Sequence, residues 1–161
     1  MDFSRLDRNR ALLGAGASIV LIVSVLFLPW YSLSHAPERA QQGAWLCGEE
    51  DYSCTGFETF PILRWLLLAG AVAPIILGYI LIRGHRLSWA PGEMTMVVGF
   101  TAFVLIGYNG IIARPGERPF GEGLEYGYWL AFLASIAIAA TGFLRSMASG
   151  GRETRKAPGT V

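Results

Sequence analysis

Charge is scarce in this chain: only 16% of its 161 residues are Asp, Glu, Lys or Arg, and the formal net charge is +1. A balance so close to zero offers no basic field to neutralise phosphates, which argues against nucleic-acid binding. Histidine is scarcer still, with His35 and His85 both outside the long apolar stretches, so haem ligation within a bilayer has no candidate ligand. Two cysteines without a C-x-x-C exclude thiol oxidation of the quinone-coupled kind. No H-E-x-x-H, phosphate loop, G-x-S-x-G or pair of intramembrane carboxylates occurs. Gly14-Ala15-Gly16 begins like a dinucleotide loop, but no strand precedes it and no third glycine completes it. These absences point away from an enzyme, a bound cofactor or a metal centre. The nearly charge-free apolar stretches also weigh against an ion-coupled transporter.

What the chain has instead is apolar length. Hydrophobic residues make up 53% of it and the mean hydropathy is +0.43, far from soluble-domain composition. Four stretches, residues 11–30, 60–82, 94–113 and 126–144, each run for roughly 20 residues. A helix of that length crosses a hydrocarbon core of about 30 Å. The expected fold is an all-α membrane protein, an antiparallel up-down four-helix transmembrane bundle with a short disulfide-clipped outer loop. The expected organisation is one transmembrane domain over residues 1–147 and a disordered basic cytoplasmic tail over 148–161.

Arginine placement orients this bundle. Arg5, Arg8, Arg10, Arg83, Arg86, Arg145, Arg152, Arg155 and Lys156 fall on one side, and Arg39, Arg64, Arg114 and Arg118 on the other. Nine against four, in alternating order, predicts cytoplasmic termini in a multi-pass protein of the plasma membrane. The rival reading of the first stretch is a cleaved signal peptide ending near Ser34-His35-Ala36. Its apolar run exceeds the usual 7–15 residues, and Trp30-Tyr31 reads as an interfacial anchor.

Small residues mark where helices should meet, because close packing replaces the hydrophobic drive in lipid. Gly14 and Ser18 lie four apart on the first stretch, and Ala131, Ser135 and Ala139 recur every four residues on the fourth. Pro74, flanked by Gly70 and Gly78, predicts a mid-membrane bend packed on a neighbour. Pro29 should end or bend the first helix, and Tyr126, Tyr128 and Trp129 should form an aromatic collar around the fourth.

The large outer loop holds Cys47 and Cys54, whose spacing suits a local disulfide in an oxidising compartment, against free thiols or a metal pair as alternatives. Glu49, Glu50 and Asp51 between them follow no EF-hand spacing and read as a solvated turn. Trp45 and Phe57 should pack the loop onto the membrane surface or the bundle mouth. Glu58 or Thr59 is the expected cap of the second helix. Arg64, one turn into that helix, either snorkels or pairs with a loop acid, or contacts an anionic or quinone headgroup. Asn109 should hydrogen-bond across helices near the same mouth. Glu93 at the inner end either caps the third helix or serves a function there.

Leu28-Pro29-Trp30-Tyr31, Gly56-Phe57-Glu58-Thr59-Phe60, Arg114-Pro115-Gly116 and Tyr128-Trp129-Leu130-Ala131 resemble elements of small uncharacterised four-span membrane proteins of actinobacteria. In that family tryptophan often stands where Phe57 does, and many members lack the cysteine pair; the resemblance implies architecture alone. Trp30, Gly43-Ala44-Trp45, Cys47 and Cys54 are also similar to the claudin-type tetraspan first-loop pattern, although about 29 loop residues are few for that family's sheet. The functional expectation is a non-enzymatic accessory, scaffold or assembly subunit. Its partners would be the lipid bilayer and a membrane protein or a second copy. The alternative is a lipid- or small-molecule-binding carrier or sensor with its site at Arg64, Asn109 and Trp45.

Overall fold

The computed structural model describes residues 3–33, 53–83, 91–113 and 122–153. In chain order these form α1 (Phe3–Phe27), β1 (Pro29–Leu33), β2 (Ser53–Thr55), a single-turn α2 (Gly56–Thr59) and α3 (Leu63–Ile82). Then follow α4 (Pro91–Gly107), a π-turn (Tyr108–Ile112), β3 (Glu122–Leu124) and α5 (Tyr126–Glu153). Four of the helices are long and apolar enough to cross a membrane: Arg8–Phe27, Leu63–Ile80, Gly92–Ile112 and Tyr126–Ala148. They close a ring in which α1 and α4 each pack on both α3 and α5.

In the interior small side chains alternate with Leu21, Leu67, Ile106 and Ile138, and many large apolar side chains face the perimeter, as a lipid surrounding allows. Leu13, Phe27, Trp65, Phe100 and Leu133 are exposed, while Gly14, Ser18, Ala71, Gly99, Ala131 and Gly142 are buried. Buried positions on α1 are Ala11, Gly14, Ser18, Leu21 and Val25, with Ser24 beside the last; on α4, Gly92, Thr95, Gly99, Ala102 and Ile106. On α5 they include Tyr128, Ala131, Ser135, Ile138, Gly142 and Arg145. All three helices step alternately by three and four, the 3.5-residue seam of helices that wrap left-handedly around each other. On α3 the buried positions are Leu63, Leu67, Ala71, Pro74, Leu77 and Gly78; two successive steps of four open the run, so the seam drifts.

Glycines set the closest approach. A Cβ at Gly99 would collide with the backbone of Ala139, and one at Gly142 with the backbone of Met96. A Cβ at Gly92 would lie 2.6 Å from the Ser146 nitrogen. The α4 and α5 backbones therefore touch directly. On α3 a Cβ at Gly70 would meet Val98 of α4 at 3.4 Å, and one at Gly78 would meet Ala11 and Ala15 of α1 at 3.8 and 3.9 Å, which are ordinary contacts. Pro74 lies between them, buried within the continuous helix α3.

One end of the ring, opposite the chain termini, carries a three-stranded antiparallel sheet in the order β2-β1-β3. Its central strand continues α1, and its edge strands lead into α3 (through α2) and α5. Predicted boundaries shift: α1 starts at Phe3 rather than at residue 11, and α4 at Pro91 rather than at 94. Pro29-Trp30 belongs to β1 rather than to the first helix, and α3 starts at Leu63, three residues late. The fourth helix continues to Glu153, past the expected domain end at 147, and residues 154–161 of the expected tail lie outside the described residues.

The expected interfacial anchors are also relocated. Trp30 is 0% exposed and Tyr31 only 3%. Consecutive residues of a regular strand face opposite ways, but the register passes from Pro29↔Thr55 to Tyr31↔Cys54, leaving Trp30 as a bulge. The bulge is what lets both rings point into the bundle. Tyr128 is likewise 0% exposed; of the expected collar only Tyr126 and Trp129 remain on the perimeter.

Candidate functional site

The sheet end gathers most of the polar and aromatic groups singled out in the sequence. At its centre the Trp30 ring meets Phe60 and Tyr128 edge-on at 6.2 and 5.9 Å, and Tyr31 lies beside the same two rings. Such pairs contribute about 0.5–1.5 kcal/mol each beyond their burial. The Trp30 indole N–H donates to the Ser24 carbonyl at 3.0 Å and lies 3.2 Å from Ser24 Oγ, which donates to the Gly127 carbonyl at 2.5 Å. One serine thus ties the last turn of α1 to the first turn of α5. Gly56 and Gly127 make room: a Cβ at Gly56 would lie 2.6 Å from the Trp30 ring, and one at Gly127 would strike the Pro29 carbonyl.

Asn109 sits in the π-turn that ends α4. Its Nδ2 donates to the Leu105 carbonyl at 2.9 Å, one turn back on its own helix, rather than across helices as the sequence suggests. A widened turn leaves carbonyls without their usual i+4 donors, and side chains take over. The Tyr128 hydroxyl donates to the Ile106 carbonyl at 3.3 Å and the Tyr31 hydroxyl to the Asn109 carbonyl at 3.4 Å. Gly110 passes against the Tyr128 ring so closely that a Cβ there would overlap it. The fourth helix end is thereby fastened to the same aromatic cluster as the other three.

Arg64 occupies the first turn of α3, half-buried. Its Nη1 donates to the Phe57 carbonyl at 3.2 Å, and the guanidinium lies 4.5 Å from the Phe57 ring centroid and 5.5 Å from that of Trp65. Nε is buried without a hydrogen-bond partner among the described residues. Among the described residues the backbone and two rings hold it; the loop acids Glu38, Glu49, Glu50 and Asp51, its expected partners, lie outside the described residues. Phe57, expected to pack at the bundle mouth, does pack against the core cluster there and is also one wall of this clamp, 5.8 Å from Trp65. The helix start is capped upstream of the expected residues: Thr55 caps α2 in a capping box with Glu58, whose carboxylate receives the Thr55 backbone N–H at 3.0 Å.

Arg64 and Asn109 share no hydrogen-bond partner, and Trp45, the third member of the predicted site, lies outside the described residues. So does Cys47, and with it the predicted Cys47–Cys54 ring. Cys54 itself is buried on β2, opposite Tyr31, and is not a free thiol. Among the described residues no three His, Cys, Asp or Glu side chains converge as metal ligands. At the terminal end Glu93 is exposed in the first turn of α4. Gly14 packs on Thr141, Ser18 donates back to the Gly14 carbonyl at 3.0 Å, and Ser135 is fully buried. Ala139 is half-buried, offering its backbone rather than its methyl group to Gly99.

Sequence reasoning missed Arg145, which is only 3% exposed, and the Arg10 Nη1 bond to the Leu144 carbonyl at 3.0 Å. The signal for Arg145 was its place on the three-four register after Ile138 and Gly142. No protein-family model, curated protein or solved structure matches this chain.

Proposed function

We propose that this multi-pass protein is a non-enzymatic accessory, scaffold or assembly subunit of the plasma membrane, with both termini in the cytoplasm. The observation that carries the reading is the sheet end. A strand from α1, a strand entering α3, a strand entering α5 and two tyrosine hydroxyls on the end of α4 fasten all four helices to one aromatic cluster. Fastening of that kind makes a fixed platform outside the bilayer, and the apolar perimeter below it is a surface for helices of a partner or a second copy. The arginine distribution places the platform on the outer side. A Cys47–Cys54 disulfide completes the platform by clipping the loop that enters β2; the position of Cys54, opposite Tyr31 in the sheet and not a free thiol, favours it. Mild detergent extraction should recover a stoichiometric membrane-protein partner or a homo-oligomer, and a strictly monomeric, partner-free species would overturn the reading. Impermeant thiol reagents should label Cys47 and Cys54 from outside the cell only after reduction. Labelling from the cytoplasm alone reverses the orientation.

A second reading, a carrier or sensor for a lipid or small molecule, draws on one specific observation. The buried Arg64 Nε lacks an acceptor among the described residues. An unmet donor on a charged group costs about 1–3 kcal/mol or more, so an acceptor brought by a ligand would relieve a real penalty.

A further inference from the structure

The geometry points to Arg64 as the binding site for the phosphodiester of a membrane phospholipid, with the Phe57 and Trp65 rings holding the guanidinium ready. The inference deepens the carrier-or-sensor reading and rests on it. A guanidinium has two edges that can grip an oxyanion with paired N–H groups. In Arg64 the Nη1 corner is spent on the Phe57 carbonyl, while Nε, which forms the side-on edge together with Nη2, is buried and has no acceptor among the described residues, so a phosphate engages this edge by displacing the atoms that cover it. The rings at 4.5 and 5.5 Å limit the rotation of the group, so little entropy remains to be lost on binding.

Electrostatics agree. Arg64 lies in the first turn of α3, where the helix dipole is positive and a second positive charge is unfavourable without an anion nearby. The backbone amides of Arg64 and Trp65 are already bonded to the Phe60 and Ile62 carbonyls, so the guanidinium rather than the helix end is the donor. The source of the anion follows from the surroundings. Ile62 is 76% exposed, Trp65 59% and Leu66 56%, and all three flank the arginine where the apolar span Leu63–Ile80 begins. A charged phosphate beside an apolar flank at the edge of a hydrocarbon core is what a phospholipid presents and what free phosphate does not.

Native mass spectrometry of the full chain, purified in detergent with added phosphatidylglycerol, tests this. Wild-type protein should retain the lipid through the removal of detergent, and diacylglycerol, which lacks the phosphate, should not be retained. Arg64→Gln should lower lipid occupancy about tenfold and Arg64→Lys by less, because the charge remains but the fork is lost. Arg83→Gln, an exposed arginine at the other end of α3, serves as the control and should leave occupancy unchanged. If Arg64→Gln does not fold, Phe57→Leu, which removes one ring wall, should still weaken retention. Equal retention by wild type and Arg64→Gln overturns the site while leaving a lipid-binding protein. Absence of retained lipid in wild type overturns both the site and the lipid form of the carrier-or-sensor reading. Displacement of the lipid by millimolar inorganic phosphate, with no dependence on the acyl chains, overturns the phospholipid as its source.

Discussion

α5 and α3 are both apolar helices of the same ring, yet they are held by different means. Along α5 the contacts are backbone to backbone. Gly99 and Gly92 of α4 and Gly142 of α5 leave no room for a methyl group, and the helix keeps a three-four seam from Tyr128 to Arg145, widened at Ala134. Its first turn is also bonded into the aromatic cluster through Gly127 and Tyr128. Along α3 the contacts are made by side chains with space to spare at Gly70 and Gly78, the seam drifts, and a proline interrupts the hydrogen-bond ladder. The polar fastening of α3 lies at its start, through the Arg64 clamp in its first turn and the Thr55 capping box of α2 just before it. In lipid, where burial of apolar surface no longer drives helices together, the depth of interlocking decides which pair is firm. By that measure α4–α5 is the frame, and α3 is the more loosely held helix.

The largest expected effect is at the junction of the cap with α5. Trp30→Ala should cost about 4 kcal/mol in a chemical or thermal unfolding titration, because it empties the centre of the cluster and leaves Ser24 without the indole. A loss below 1 kcal/mol would mean that the cap does not fasten the helices. Gly142→Ala should cost about 2–3 kcal/mol by forcing α5 away from Met96. On the α3 side the effects shrink. Thr55→Ala, which opens the capping box, should cost about 1 kcal/mol. Pro74→Ala should change stability by less than about 1 kcal/mol, since the regained amide hydrogen bond offsets the lost ring contact. A Pro74→Ala penalty rivalling that of Gly142→Ala would erase the contrast between the two helices.

Four long apolar runs were legible because membrane-spanning length is a one-dimensional property. The packing faces were legible only in part. Ala131 and Ser135 do fall on the seam, but the four-residue stripe extrapolated to Ala139, whereas the three-four register turns Ile138 inward. In an apolar helix every face is hydrophobic, so periodicity carries little information about which side is buried; the glycines at 92, 99 and 142 carried more. The sheet was hidden because β2 and β3 are only three residues long. Nothing in the alternation of Pro29-Trp30-Tyr31 announces a bulge, and a tryptophan after proline at the end of a span has the same composition as an interfacial anchor. Of the candidate site, the position of Arg64 was evident. Its two aromatic walls were not, because Phe57 approaches it from α2, a turn that exists only once Thr55 caps it.

The most direct test of the difference between α5 and α3 is a pair of glycine substitutions unfolded side by side in one detergent. Gly99→Ala should lower the melting temperature by roughly 5–10 °C, because its methyl group meets the Ala139 backbone. Gly70→Ala should leave it unchanged or raise it slightly, because the methyl group fits against Val98 and alanine favours the helix. Equal losses in the two variants, or a larger loss for Gly70→Ala, would contradict the account.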